Sequence, residues 1–321
     1  MIRSALILIC MLPAPAAAQI GSAWATNADS EQVGDCIVPG CVPAAGGAGE
    51  LFDHDSEQPI RRFRKQAVQV AAVSGGWLQA VGSNDLSSSF FETSIGIGIP
   101  LGNFDNILSV TPSFRTDFID AAPHLDIPAE LFEAGVSFFY RRPINDRLSA
   151  MAIVRPSVRS DFSTGDDAFR LFGLGLLTWE CRPKELSLSF GAVALGRADL
   201  PVLPAVGLTW TPTTTKRLEL RFPESRLAWR LAKDGSNSET WSFLTVGLGG
   251  NTWAVTRASG KSDELSLRDV RLMIGVDHVI DGGGGWFAEF GYAFNRRIEY
   301  ELSDTEVSLS DGVLLQAGLR F

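Results

Sequence analysis

Twelve charged residues recur in alternation with apolar ones and are the side chains best placed to do chemistry. They are Arg115, Asp117, Glu133, Arg141, Arg155, Arg159, Asp269, Arg271, Asp277, Glu289, Arg297 and Glu299. In ILSVTPSFRTDF, Leu108, Val110, Pro112, Phe114 and Phe118 share one side of an extended strand, and Ser109, Thr111, Ser113, Arg115 and Asp117 share the other, because successive strand side chains point to opposite faces. LFEAGVSFFYR and LSAMAIVRPSVRSD repeat the pattern. GWFAEFGYAFNRRIEYEL sets Trp286, Phe290, Tyr292 and Phe294 against Glu289, Arg297 and Glu299. Enclosed together, such groups could set the charge preference of an aqueous path, or pair across it and block it.

Other chemistries have less to stand on. Nucleophilic catalysis needs a serine or cysteine with a histidine in reach. The three histidines, His54, His124 and His278, come without a G-x-S-x-G stretch. DGGGGW, residues 281–286, lacks the Gly-Lys-Ser/Thr ending of a phosphate-binding loop and reads as a tight hairpin. Cys36 and Cys41 of DCIVPGC could close a small disulfide loop in an oxidising compartment. Without a histidine pair they make half a metal-ligand set, so neither a metal nor a cofactor is expected. A formal net charge of −9 argues against nucleic acid as a partner.

The elements that must position the twelve charges begin after an export signal. MIRSALILICMLPAPAAAQ has a basic tip at Arg3, a short apolar run and small residues before Gln19, the order of a signal peptide covering 1–18. Residues 19–64 show no period and read as a flexible periplasmic segment. From 65 to 321 the texture is β, in alternating segments separated by Gly, Asn, Asp, Pro and Ser clusters.

No run of 18 apolar residues follows the signal, so a bilayer could be crossed only by a closed barrel, which pairs every backbone group. Apolar and aromatic stripes opposite charged ones fit a barrel with lipid outside and a polar lumen. The fit weakens at FRLFGLGLLTWEC and WSFLTVGLGGNTWAV, where both faces are apolar or glycine. It weakens also at Arg296, which falls on the lipid side unless a bulge intervenes.

Tight connections such as LGNFDN, RPIND, CRPKE and PTTTK alternate with longer ones such as DAAPHLDIPAE, DFSTGDDAF and TRASGKSDE. Short turns belong on the periplasmic side and longer loops outside. None of the loops is long enough to predict a large inward-folded constriction. The count is about fourteen strands, or twelve if Pro223 marks a bulge rather than a turn in RLELRFPESRLAWRL.

Two stretches carry a resemblance. VLLQAGLRF, with Leu315, Ala317, Leu319 and the terminal Phe321, is similar to the aromatic-ended signal by which outer-membrane proteins engage the barrel-assembly machinery. PAVGLTWTPTTTKRLELRFPESRLAWRL, with Gly207, Trp210, Pro212, Leu218-Glu219-Leu220 and Phe222-Pro223, resembles an uncharacterised family of outer-membrane β-barrels catalogued as a domain of unknown function. The resemblance implies an all-β, closed, antiparallel transmembrane barrel in the bacterial outer membrane, with membrane lipid and the assembly machinery as partners. It transfers no catalytic residue and indicates no oligomeric state. The expected function is a passive, porin-like pathway for small polar solutes or ions. The alternatives are a structural or surface-interaction barrel with a plugged lumen, and a lipid-modifying barrel enzyme.

Overall fold

The two-residue period closes on itself. The computed structural model describes residue 60 and residues 68–321, apart from 83–85, 102, 166, 195–201, 223 and 303–304. Its strands are β1 (Val68–Ala80), β2 (Leu86–Leu101), β3 (Asn103–Ala121), β4 (Glu130–Asn145), β5 (Leu148–Ser160), β6 (Phe169–Arg182), β7 (Leu186–Ala194) and β8 (Leu203–Thr213). They continue as β9 (Lys216–Arg221), β10 (Glu224–Asp234), β11 (Ser238–Thr256), β12 (Ser262–Ile280), β13 (Gly285–Tyr300), β14 (Thr305–Ser308) and β15 (Gly312–Arg320).

From β1 to β14 each strand pairs antiparallel with the next in sequence, and β15 pairs with both β13 and β1, which joins the last strand to the first. β14 and β15 pair with successive stretches of β13 and occupy one position in the wall, so the barrel has fourteen strands. RLELRFPESRLAWRL is a true hairpin, with Leu218 opposite Leu227, which decides between fourteen and twelve. The signal peptide and Cys36 and Cys41 lie outside the described residues. Cys181 is a free thiol.

The outside is apolar over its middle. Phe91, Ile95, Phe114, Phe138, Leu177, Phe190, Leu244, Ile274, Phe290, Leu315 and Leu319 are all exposed there. Trp179, Trp210 and Trp286 stand next to the tight turns at one end, where amphipathic rings favour the lipid–water boundary. A surface of this kind is that of a transmembrane barrel, since no water-soluble protein leaves so large a contiguous apolar area bare. Leu315, Ala317, Leu319 and Phe321 all face outward on the closing strand.

The wall is uneven in height. β3, β11 and β12 have 19 residues each, whereas β7 has 9 and β9 has 6. Six residues at about 3.3 Å each run only about 20 Å even before tilting, short of the apolar band of about 25 Å. Above these short strands the taller ones meet directly. Ser160 of β5 pairs with Ala254 of β11, Thr256 N–H donates to Asp161 Oδ2 at 2.7 Å, Thr164 and Ser262 share a hydroxyl bond of 2.8 Å, and Arg170 is ion-paired with Glu264.

That junction requires β11 and β12 to lean across the mouth. Gly250 has φ +102°, and a Cβ there would strike the Leu267 carbonyl, so only glycine can make this bend. At the same height Asn295 of β13 takes φ 53° and forms a bulge, a left-handed conformation that asparagine tolerates. Beyond the bend both faces of the hairpin are buried. Trp253, Val255 and Leu265 pack with Leu86, Ile119, Leu131, Ile298 and Tyr300, and Thr252, Ala254 and Ser266 are buried on the opposite side.

Candidate functional site

The interior is built from three recurring layers. Gly76, Gly275 and Gly318 leave hollows in the wall, and the ring of each cross-strand partner, Phe90, Phe243 and Phe287, lies over the hollow. An arginine then lies on the ring: Arg115 at 3.9 Å from the Phe90 centroid, Arg226 at 3.6 Å from Phe243 and Arg320 at 5.9 Å from Phe287. Cation–π contact and the fixed ring hold guanidiniums inward at set heights. Sequence alternation alone does not reveal this device, because glycine carries no facial signature.

Around these layers the charges pair. Arg115 grips Asp117 with Nε and Nη2 at 2.8 and 2.6 Å, and stands 3.6 Å from Glu92. Glu133 accepts from Arg155 at 2.7 Å and Arg159 at 2.9 Å through one oxygen. Its other oxygen accepts from Asn251 of the bent β11 at 3.2 Å, so one carboxylate ties β4, β5 and the hairpin together. Arg271 holds Asp269 through two bonds of 2.7 and 3.0 Å, and Glu289 accepts from Gln316.

Arg115, Asp117, Glu133, Arg155, Arg159, Asp269, Arg271 and Glu289 border one cavity of about 290 Å³. Two further inward residues stand below it. Asp277 is fully buried against Arg320, and Arg141 continues the register of Glu133 toward the tight-turn end. Glu299 is a correction, and Arg297 is one in part. The Asn295 bulge shifts the alternation by one residue, which turns Arg296 inward to donate to the Ser310 and Leu86 carbonyls at 2.8 and 2.9 Å. Arg297 borders the cavity, but its side chain is 45 % exposed and bonds Glu306, and Glu299 pairs with Arg268.

The lumen is also less polar than the alternation predicts. Ile153, Phe172, Leu174, Leu176, Val193 and Ala205 form a buried cluster on the inner face of β5 to β8. FRLFGLGLLTWEC is apolar on both faces for this reason: Leu171, Leu177 and Trp179 face out while Phe172, Leu174 and Leu176 pack inside.

Both ends are packed with side chains. At the tight-turn end Glu239 accepts from Trp241 Nε1 at 2.9 Å, Lys233 at 3.1 Å and Arg230 at 3.4 Å, and Trp241, Glu239 and Asp277 have almost no exposed surface. At the other end the bent hairpin is capped by the connection after β3. Its 3-10 turn Pro123–Leu125 inserts Leu125 into the apolar cluster beneath. The Tyr300 hydroxyl bonds the Leu125 and Asp126 carbonyls at 2.7 and 3.0 Å. Arg257 lies 3.6 Å over the Tyr300 ring and donates to Asp126 at 2.6 Å. That bond, with one from the Ala258 amide, holds the Asp126 carboxyl below the ordinary aspartate range. The constriction that no loop was long enough to supply comes instead from a strand hairpin and a single short turn.

His124 is exposed on that turn, whereas His278 lies near the tight-turn end, 3.0 Å from the Thr240 hydroxyl and stacked on Trp286. His54 lies outside the described residues. The sequence reading passed over Glu92, Glu224 and Arg226, which line the same cavity. The alternation in ESRLAWRL, with Arg226 opposite Leu227 in phase, was the available signal.

The model of a domain of unknown function, DUF6268, matches residues 121–308, more than half the chain. No curated protein matches the sequence. Among solved structures, the β domain of the Bordetella autotransporter BrkA aligns with 80 % of this chain and 99 % of its own at 12 % identity and a TM-score of 0.34. Pseudomonas aeruginosa OccK5 aligns with 79 % and 98 % at 8 % identity and 0.30. The Acinetobacter baumannii outer membrane protein Omp33 aligns with 79 % and 99 % at 10 % identity and 0.29. At such scores the likeness carries no weight of its own, and the barrel rests on its strand pairing.

Proposed function

Because the chain belongs to the DUF6268 family, whose description names no activity, its function has to be read from its own lumen, and we propose that it is a bacterial outer-membrane barrel that passes small polar solutes or ions through a gated interior. An even-numbered antiparallel barrel with short turns at one end and an apolar girdle fits the outer membrane. The observation that carries the gate is the burial of both faces of the β11–β12 hairpin end, tied to the wall through Asn251 and Glu133. That packing favours a gate over a permanently open channel. A charged cavity beneath it supports a pathway over a barrel that is filled throughout.

The second reading is a structural barrel with a plugged lumen, favoured by the apolar packing of Phe172, Leu174 and Leu176 inside. Conductance in planar bilayers separates the two. Refolded protein should be closed with rare openings. Replacing residues 252–266 by Asn-Gly, which leaves Asn251 and Leu267 facing each other across a two-residue turn, should give steady conductance. Steady conductance by the unaltered chain removes the gate. Silence of the inserted, shortened variant removes the pathway and leaves the structural barrel.

A further inference from the structure

The polar atoms left without a partner on the cavity wall are all of one kind. Arg155 Nε, Arg159 Nε and Nη1, Arg226 Nε and Nη2, and Trp253 Nε1 are buried and make no hydrogen bond among the described residues. Every one is a donor. Among the described residues no carboxylate oxygen of the cavity wall is left buried and unbonded in the same way. Native proteins rarely leave buried N–H groups unpaired, because desolvation without a replacement bond costs free energy.

The setting of these donors is also fixed. Arg155 and Arg159 share a single carboxylate, Glu133, which also accepts from Asn251. Arg159 is buried and Arg155 half-buried, and Glu92, Asp117, Glu224, Asp269 and Glu289 line the same cavity. Arg159 is 1 % exposed and Arg226 is 9 % exposed, so bulk water does not screen either. Arg226 is also immobilised, since its guanidinium lies 3.6 Å over Phe243, and that ring rests on Gly275. Its free edge therefore presents two donors in a fixed fork, the arrangement that suits the paired oxygens of a planar or tetrahedral anion.

We infer that the cavity is a binding site for a small oxyanion, bearing a carboxylate or a phosphate group, that accepts hydrogen bonds from Arg226, Arg155 and Arg159. The inference rests on reading the lumen as a solute pathway and names the class of solute it takes. A volume of about 290 Å³ admits a molecule of few heavy atoms, at the low end of small-molecule sites. The acceptor oxygens satisfy the orphan donors.

The test uses the full exported chain refolded in detergent micelles with the anion already present, so that binding does not depend on the gate. Sodium acetate and sodium phosphate are titrated separately, with sodium chloride at matched ionic strength as reference. The expected result is a saturable rise in the unfolding midpoint with at least one oxyanion that chloride does not reproduce. Which salt acts separates the carboxylate from the phosphate source. Arg226→Gln should weaken the apparent affinity at least tenfold. Should that variant fail to refold, Arg155→Gln and direct equilibrium dialysis of labelled acetate and phosphate against the unaltered protein give the same answer. Equal midpoint shifts with chloride, or undiminished binding by the variants, overturn the inference. If neither oxyanion binds while the shortened hairpin still conducts, the site is lost and the gated pathway stands.

Discussion

The β3–β4 and β11–β12 hairpins are built alike at the tight-turn end and differently at the mouth. In β3 the alternation persists to the top: Phe118 is exposed on the outside while Asp117 and Ile119 face in. In β11 and β12 it holds through Leu244, Val246, Leu272 and Ile274 on the outside. At Gly249–Gly250 it stops, and Thr252, Trp253, Ala254 and Val255 are buried in succession. The first hairpin is wall along its whole length, whereas the second is wall below the bend and plug above it. A strand with one face in lipid and one in the lumen must alternate, but a strand enclosed on both sides has no reason to.

The comparison breaks most severely at Glu133, which belongs to the wall hairpin and holds the plug. Glu133→Ala takes from the buried Arg159 and the half-buried Arg155 the carboxylate they share and frees Asn251 from it. Removing one partner of a buried ion pair costs about 3–5 kcal/mol. The loss should appear in urea unfolding of the refolded barrel, together with more frequent openings in bilayers. Arg297→Ala is the contrasting case, because its pair with Glu306 is exposed on both sides. Pairs of that type contribute about 0–1 kcal/mol, and its unfolding curve should nearly overlay that of the parent.

Next in size is the bend itself. Gly250→Val places a branched side chain at φ +102° against the Leu267 carbonyl. Forcing a non-glycine residue into such a conformation costs about 1–3 kcal/mol, and relief requires the hairpin to straighten out of the mouth. Gly175→Ala, in the wall strand β6 with open space at the Cβ position, should alter stability by less than about 0.5 kcal/mol. Equal effects at the two glycines in urea unfolding would remove the distinction between wall and plug.

How much of this was legible follows from the same geometry. Wall segments with a clean period, such as ILSVTPSFRTDF, disclose both their strand character and which residues face the lumen. Position in the chain past a bulge does not follow from period: one extra residue at Asn295 exchanged Arg296 for Arg297 and Glu299. Apolar residues inside the lumen were illegible for a different reason. Phe172, Leu174 and Leu176 look like a second lipid face, and only the closure of the sheet decides that they are enclosed. Glu224 and Arg226 were within reach, since RLELRFPESRLAWRL alternates, but the doubt over whether it made one strand or two hid their register. The pairing of Asn251 with Glu133 joins residues 118 positions apart and depends on a bend that glycine permits without announcing.

The smallest effect concerns the latch over the plug, which the wall hairpin supplies through Asp126. Its folded carboxyl titrates below the ordinary value of about 3.9, chiefly because Arg257 donates to it. A carboxyl of depressed pKa contributes stability above its unfolded value and loses it as pH falls through the folded one. The latch should therefore be intact from neutrality down to about pH 4 and loosen progressively below that. Asp126 is partly exposed, so the contribution stays under about 1 kcal/mol. Hydrogen exchange at the Ala258 amide, which donates to Asp126 Oδ1 at 3.0 Å, reads the latch directly once intrinsic rates are corrected. Protection should fall with acid in the parent. In Asp126→Asn it should be lower at neutral pH and flat across the same range, because the neutral amide binds Arg257 weakly and does not titrate. Tyr300→Phe separates the latch from the plug: it removes the hydroxyl bonds to the Leu125 and Asp126 carbonyls at every pH and should leave the acid dependence at Ala258 in place. Protection that stays constant in the parent down to pH 3 would mean that the turn is held by Leu125 alone, by packing into the mouth rather than by charge.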